Sequence, residues 1–413
     1  MNKGMTTKRD RIAIVSDVVP SPQSRSGFAA RLSHFMSAAA EHMDTTLILI
    51  LRPDQTSPPP LPQWLAPERI HVLHAPRPPW AEPGLKGRVR RRLGRYVFSS
   101  LPPDCYPRTW PRLREILGQE RPDVAAFYLP YLAHLAGHAS SGTPVIGILE
   151  EAWERLVAAE FTGPDWRRQW LARKAASQFR TVYRQLDRRA AAVVAISPEE
   201  EASFGETIAT DKILVIPHGV DTSYFRARDG RERDIDIVVV GDLRSPRNYV
   251  GALSTWEAAQ VTEDSAARRW AFVGEVDPEV ASALRKGGAT VTGPVDDVRP
   301  YYERARTALV PSFAGTGVKT TSLQAWAMRC PLVASPLGAR GLPARATENL
   351  LIGDDPTALV EHLEAVLRDR DLAERLANAG RSTAERYCDL AMLGRRFANL
   401  CQEVVEARAP ASR

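Results

Sequence analysis

Residues 309–341 read LVPSFAGTGVKTTSLQAWAMRCPLVASPLGARG. Gly315, Thr316 and Gly317 make a loop of small residues between an apolar run and an amphipathic one, and Val318 and Lys319 follow directly. Glycine lets backbone N–H groups approach an anion closely. A helix N-terminus adds N–H donors and a partial positive charge. A helix predicted from about Val318 to Arg329 puts Lys319 in its first turn, where a cation opposes that dipole unless a bound phosphate offsets it. The pattern points to phosphate binding; an ordinary strand-to-helix turn with an exposed lysine is the duller reading. Gln324, about two helical turns beyond Gly317, carries an amide able to hydrogen-bond a ribose or sugar hydroxyl, although the position could equally face solvent.

Other groups gather at the ends of apolar runs. The run DIDIVVVG is followed by DLRSPRN, so Arg244 and Arg247 sit after a strand, with a helix predicted from near Asn248 and Pro246 as its start signal. A guanidinium fork suits phosphate oxygens; two solvated arginines is the alternative. Residues 20–31, PSPQSRSGFAAR, place Ser26 and Gly27 where a loop turns into a helix. The spacing is no dinucleotide fingerprint, and it reads either as a structural turn or as a loop facing an acceptor. Glu150 and Glu151 follow PVIGIL. A carboxylate there could bind acceptor hydroxyls or act as a base, or simply start the next helix. His134 and His138 lie four apart on a predicted helix, but no third ligand accompanies them and no metal site is expected. The basic stretch over residues 86–98 could touch an anionic membrane surface, with the basic segment 167–189 adding to it, or both could be solvated faces.

Short apolar runs alternating with helix-length segments position these groups. Strands are predicted at 11–17, 45–51, 69–74, 123–129, 144–149, 192–197 and 212–216, with a helix over 27–43 and a long one over 166–189. The rhythm restarts with strands at 234–241, 270–274, 289–293, 307–311, 332–335 and 350–352, and closes with helices over 356–368, 372–386 and 390–406. Strands separated by helices imply parallel sheets. The polar, turn-rich residues 217–233 read as a linker. The predicted class is therefore α/β, with two Rossmann-like, doubly wound domains facing across a cleft, over 1–216 and 234–389. Open parallel sheets bind ligands beyond the carboxyl ends of their strands, and a cleft between domains is the default small-molecule site.

Composition agrees. A chain of 413 residues suits two cores. No apolar run reaches the roughly 18–20 residues needed to span a bilayer, and the polar start carries no apolar signal core. The expected location is cytoplasmic, with contact at the inner membrane face the only membrane role in view. The four cysteines lie far apart without metal spacing and read as packing residues in a reduced compartment. The net charge of +6 attracts phosphates without choosing among their carriers.

At the blocks VVAISPEEEASF, KILVIPHGVDTSYF, VVVGDLRSPRN and 291–342, the chain resembles glycosyltransferase family 4, the retaining enzymes of GT-B fold, over nearly its whole length. The resemblance implies sugar transfer from a nucleotide-diphosphate donor, without a metal or other cofactor, to a carbohydrate, lipid-linked or small-molecule acceptor in surface polysaccharide or glycoconjugate biosynthesis; natural-product glycosylation, epimerisation of a nucleotide sugar on the same scaffold, or a non-catalytic protein with a degenerate site are the alternatives. Nucleic acid is not an expected partner. It also implies that the last of these blocks holds the diphosphate and ribose, that Gly293, Val295 and residues 297–301 border the base, that 217–221 crosses between domains, and that 390–413 returns to the first domain. Many relatives carry two glutamates eight positions apart in this block; here Thr316 and Gln324 stand in their places, as in a G-x-G-x-K subgroup for the first of them. The histidine often found after the fifth strand aligns with Glu150. On this reading Lys319 and Arg244, with Glu150 or Glu151, carry the chemistry, while Arg247, Gly315, Thr316, Gly317, Val318 and Gln324 hold the donor.

Overall fold

The computed structural model describes residues 9–22, 27–51, 61, 64–74, 110–128, 132–140, 142–150, 152, 155, 166–228, 230, 232–244, 246–261, 268–315 and 317–408. Its contacts divide the chain into two units: Met1–Ile216 with Ala391–Arg413, and Pro217–Leu390.

The first unit is built on a parallel sheet of β1 (Arg11–Ser16), β2 (Asp44–Leu51), β3 (Ile70–His74), β4 (Val124–Tyr128), β5 (Val145–Ile148), β6 (Ala190–Ala195) and β7 (Ile213–Val215), ordered β3-β2-β1-β4-β5-β6-β7. Helices cover such sheets on both faces, so their strands run apolar without alternation. In β2 every residue after Asp44 is buried. Helices α1 (Gly27–His42), α2 (Trp110–Glu120), α3 (Trp166–Arg189) and α4 (Pro198–Gly205) belong to this unit. Phe179, Val182, Tyr183 and Leu186 of α3 recur at helical spacing and are buried in the core. The α4 start is strongly encoded: the Ser197 hydroxyl accepts from Glu200 N at 3.2 Å, and Pro198 opens the helix. That cap ends β6 at Ala195, two residues short of the predicted 192–197. Residues 133–138 form a 3₁₀ turn rather than an α-helix, and at three residues per turn positions 134 and 138 do not share a face.

The second unit repeats the plan. It contains β8 (Ile235–Val240), α5 (Pro246–Gln260), β9 (Trp270–Val273), α6 (Pro278–Lys286), β10 (Thr290–Val291), α7 (Arg299–Arg304), β11 (Ala305–Val310), α8 (Thr320–Ala327), β12 (Leu332–Ala334), α9 (Pro336–Ala339), β13 (Leu351–Ile352), α10 (Pro356–Arg368) and α11 (Arg370–Tyr387). The parallel sheet order is β10-β9-β8-β11-β12-β13. Its core has two layers. One centres on Trp326, fully buried with Nε1 donating to Asn349 O at 2.8 Å; the other contains Trp270 and Phe272.

The last helix, α12 (Leu390–Glu406), belongs mostly to the first unit. Its Leu393, Phe397, Leu400 and Cys401 join that core, and the Phe397 ring stacks on Phe35 at 4.5 Å. Cys330, Cys388 and Cys401 are buried free thiols. Burial pushes Cys330 and Cys388 up to about 12. No described helix is long and apolar enough to cross a membrane. Residues 86–98 lie outside the described residues.

Candidate functional site

In each sheet the strand order reverses beside the first strand of the unit, between β1 and β4 and again between β8 and β11. Strand order reversal opens a crevice at the carboxyl ends, where α/β sheets take their ligands.

In the second unit that crevice is a cavity of about 220 Å³, lined by residues from 239–243, 309–312 and 318–321 and by Asn248. Its walls are closely fitted. A Cβ on Gly251 of α5 would fall 1.8 Å from Pro311 O, so only glycine lets the helix press against the end of β11. Asn248 Nδ2 donates to Asp242 O at 2.8 Å and pins the turn after β8. Leu243 N donates to Glu275 O at 2.6 Å, tying that turn to the segment after β9. Gly315 and Gly317 take φ of +104° and +79°, which steer the chain from β11 into α8.

The helix after this loop starts later than its sequence suggests. Lys319 is the N-cap of α8, with φ −85° and ψ 104°, and not a residue of its first turn. Its side chain makes no capping bond. Ser322 N donates to Lys319 O at 3.1 Å, and Lys319, Thr320 and Thr321 all stand at the cavity wall, where a helix start can offer N–H donors to an anion.

Gln324 is only the fifth residue of α8, and the cavity wall does not include it. It is half-buried, with Tyr302 OH 3.5 Å from Oε1, and the same hydroxyl donates to Thr321 O at 3.2 Å. Burial raises the Tyr302 phenol well above its usual value, so it remains a donor. Gly315 and Gly317 shape the loop without lining the cavity, and Thr316 lies outside the described residues. Val318 does line it.

Arg244 has a different role from the one expected. Its Nε and Nη2 donate to Asp242 at 2.9 and 2.6 Å, and Nη1 lies 2.6 Å from Glu275. The Asp242 bonds, then the nearby carboxylate charges, raise the exposed guanidinium's affinity for its proton and hold the Asp242 carboxyl below its usual range. Two carboxylates already answer its charge, and it does not line the cavity. The D-x-R spacing was the signal for this pairing. Arg247 stands in the first turn of α5; its side chain lies outside what is described. Gly293, with φ +72°, accepts from Gly274 N at 3.1 Å beyond the end of β9, and Val295 packs on the core. Neither lines the cavity.

At the first unit's reversal point Tyr128 ends β4, while Glu150 follows β5 and Arg31 comes from α1. Glu150 is no open carboxylate. It is fully buried, and Arg31 Nη1 donates to its Oε2 at 2.7 Å. Arg31 Nη2 donates to Ile216 O at 2.6 Å, and its guanidinium lies 4.7 Å from the Phe35 ring centre. Glu150 Oε1 and Arg31 Nε make no hydrogen bond among the described residues. Burial first, then the Glu150 charge, raises the Tyr128 phenol, which donates to Phe28 O at 3.0 Å and ties β4 to the start of α1. Gly27 opens α1 as expected. Ser26 and Glu151 lie outside the described residues. Among the described residues no three His, Cys, Asp or Glu side chains come together to hold a metal.

The same fold occurs in known glycosyltransferases. Sucrose-phosphate synthase from Thermosynechococcus elongatus is similar with a TM-score of 0.71 at 15% identity, over 97% of this chain and 100% of that one. Anabaena Alr3699/HepE in complex with UDP and glucose gives 0.67 at 13%, over 95% and 99%. OtsA in its apo form gives 0.63 at 12%, over 98% and 100%. No curated protein sequence matches this chain. Residues 64–224 match Glycosyltransferase Family 4, and residues 234–369 match Glycosyl transferases group 1. With a glycosyltransferase domain recognised in each half and two parallel sheets of GT-B type, the chain is a GT4-like glycosyltransferase.

Proposed function

We propose that the chain moves a hexosyl group from a nucleotide-diphosphate sugar to an acceptor with retention of configuration, and that the second unit holds the donor. The observation that carries this reading is the cavity at the β8/β11 reversal, where Lys319 and the first amides of α8 meet. A diphosphate there receives N–H donors, a partial positive charge and an ammonium together. The Alr3699/HepE structures with UDP and with UDP-glucose support a nucleotide sugar as the ligand class.

As the bond from the sugar's anomeric carbon to the diphosphate oxygen breaks, negative charge grows on that oxygen. Lys319 and the α8 amides stabilise it, which is the role of preorganised donors in such sites. Arg247 is assigned to the same diphosphate, and Gln324 to the ribose. These groups supply the charge that a metal ion would otherwise bring, so the reaction is written without one. Gly293 and Val295 border the base in this reading. Retention puts the attacking hydroxyl on the face that the diphosphate leaves, so a departing phosphate oxygen is the base within reach of its proton.

The acceptor is assigned to the first unit's carboxyl edge, around Ser26, Gly27 and Glu151. The acceptor class is a carbohydrate, lipid-linked or small-molecule hydroxyl, and the process surface polysaccharide or glycoconjugate assembly in the cytoplasm.

A thermal-shift panel of UDP-, GDP-, TDP- and ADP-sugars tests the reading. One donor at about 100 times its dissociation constant should add about 2.7 kcal/mol, and Lys319→Ala should abolish the shift. Absence of a shift with every donor overturns the proposal; a shift without turnover on any acceptor would leave only a binding protein.

A further inference from the structure

The second unit holds a larger cavity, of about 570 Å³, on the opposite edge of its sheet. Arg233 precedes β8, Glu303 precedes β11, Arg306 is in β11 and Pro331 precedes β12, so its wall follows the amino ends of these strands. The switch-point chemistry described above belongs to the carboxyl ends, and no residue lines both cavities.

Five arginines line it: Arg228, Arg233, Arg306, Arg329 and Arg370. Two glutamates oppose them, and Glu303 is already engaged by Arg228 at 3.1 Å. Each guanidinium has five N–H donors. Among the described residues, side-chain bonds engage two donors on Arg233, to Ala305 O and Arg329 O, and two on Arg306, to Asp236 and Leu367 O. These bonds fix where the guanidiniums stand and leave donors over. Arg370 opens α11, exposed, and makes no ion pair among the described residues.

Arg329 adds a second, independent observation. It follows the end of α8 at φ +48°, where Cys330 N donates to Ala325 O at 2.9 Å. Chains close a helix in this way with glycine, because a β-carbon is strained there. Here the strained position carries an arginine, as it does at Arg121 after α2; Arg329 lines the cavity, and its Nη2 donates to Asn378 Oδ1 at 2.6 Å.

We propose that this cavity binds a small anion carrying two or more phosphates. Its volume lies in the range of small-molecule sites, guanidinium forks match phosphate oxygens, and clustered cations are relieved by a polyanion. The site is separate from the donor cavity, so it does not depend on the sugar-transfer reading.

Calorimetric titration of the full chain with tripolyphosphate tests it, with ATP as a second probe. The expected result is binding that survives Lys319→Ala and weakens at least tenfold in Arg370→Glu and in Arg329→Gly. Arg329→Gly should also hold or raise the melting temperature, since glycine relieves the backbone; a merely structural arginine would not separate the two readouts in this way. ATP binding with the same dependence assigns a nucleoside-linked polyphosphate, and its failure beside tripolyphosphate assigns the free inorganic chain; either supports the site. Tripolyphosphate binding unchanged in both arginine variants overturns it, as does binding that Lys319→Ala alone abolishes. Capture of polyglutamate but neither small probe would make this edge a protein-binding surface and also overturn the proposal. Loss of the nucleotide-sugar shift would refute the donor site and leave this one standing.

Discussion

Arg31 and Glu150 lie 119 residues apart in sequence and meet at 2.7 Å with no exposure to solvent. A buried ion pair is weak evidence of net stability, but breaking one half of it leaves an uncompensated charge. Arg31→Ala or Glu150→Ala should each cost about 3–5 kcal/mol in denaturant unfolding. The double replacement Arg31→Met with Glu150→Leu should cost less than either. Equal or greater loss in the double variant would show that Arg31 matters chiefly through its bond to Ile216 O.

Lys319→Ala should lower turnover by about 10²–10³-fold, the cost of removing one preorganised donor from a developing oxyanion. Its thermal unfolding without ligand should change little, because Lys319 stands half-buried at the cavity wall and not in the core. Steady-state rates beside a melting curve separate the two effects. A rate within threefold of the parent would take Lys319 out of the site.

Gly251→Ala should destabilise the protein by about 1–3 kcal/mol, the range for overpacking, because its new methyl group meets Pro311 O. Since Pro311 lines the donor cavity, affinity for the nucleotide sugar should fall with stability. Denaturant titration and calorimetry on one preparation would decide. A stable variant with normal affinity would mean that α5 can slide away from β11.

Gln324→Glu should tighten binding of the donor nucleotide by about 1–2 kcal/mol, since hydrogen bonds to charged groups exceed neutral ones. Calorimetry with the nucleotide diphosphate measures it. Weaker binding would mean that Gln324 serves Tyr302 rather than a ribose.

Alkaline pH should undermine the fold. Cys330 and Cys388 titrate near 9 when unfolded and are pushed up to about 12 by burial, so the folded state holds their protons more tightly. Their contribution is intact below pH 9 and is lost as pH rises from there toward 12, at about 1 kcal/mol per pH unit for each thiol. Unfolding midpoints between pH 8 and pH 11 should fall less steeply in Cys388→Ala.

Sequence pattern was enough where one local rule decided the outcome. The run TTLILIL could only be a strand covered on both faces, and the long helix lies at 166–189 as its apolar spacing required. Local signals failed where a distant partner intervened. Nothing near Glu150 announces Arg31. The start of α8 depends on the turn that Gly315 and Gly317 make at positive φ, so Lys319 became a cap. Asp242, Asn248, Thr320 and Thr321 were overlooked as cavity residues because each looks like ordinary turn or helix chemistry until β8 and β11 stand side by side.

The closing helix has a consequence for how the protein is made. Phe397 completes the stack on Phe35, yet it leaves the ribosome after the whole second unit. Domains generally fold as units during synthesis. The unit begun first is therefore finished last, waiting with an uncovered apolar groove until the final residues emerge, while the inserted unit has all its own chain beforehand. A fragment ending at Ile216 would keep that groove open for good and should aggregate; grafting residues 390–408 onto it by a short linker should rescue its solubility.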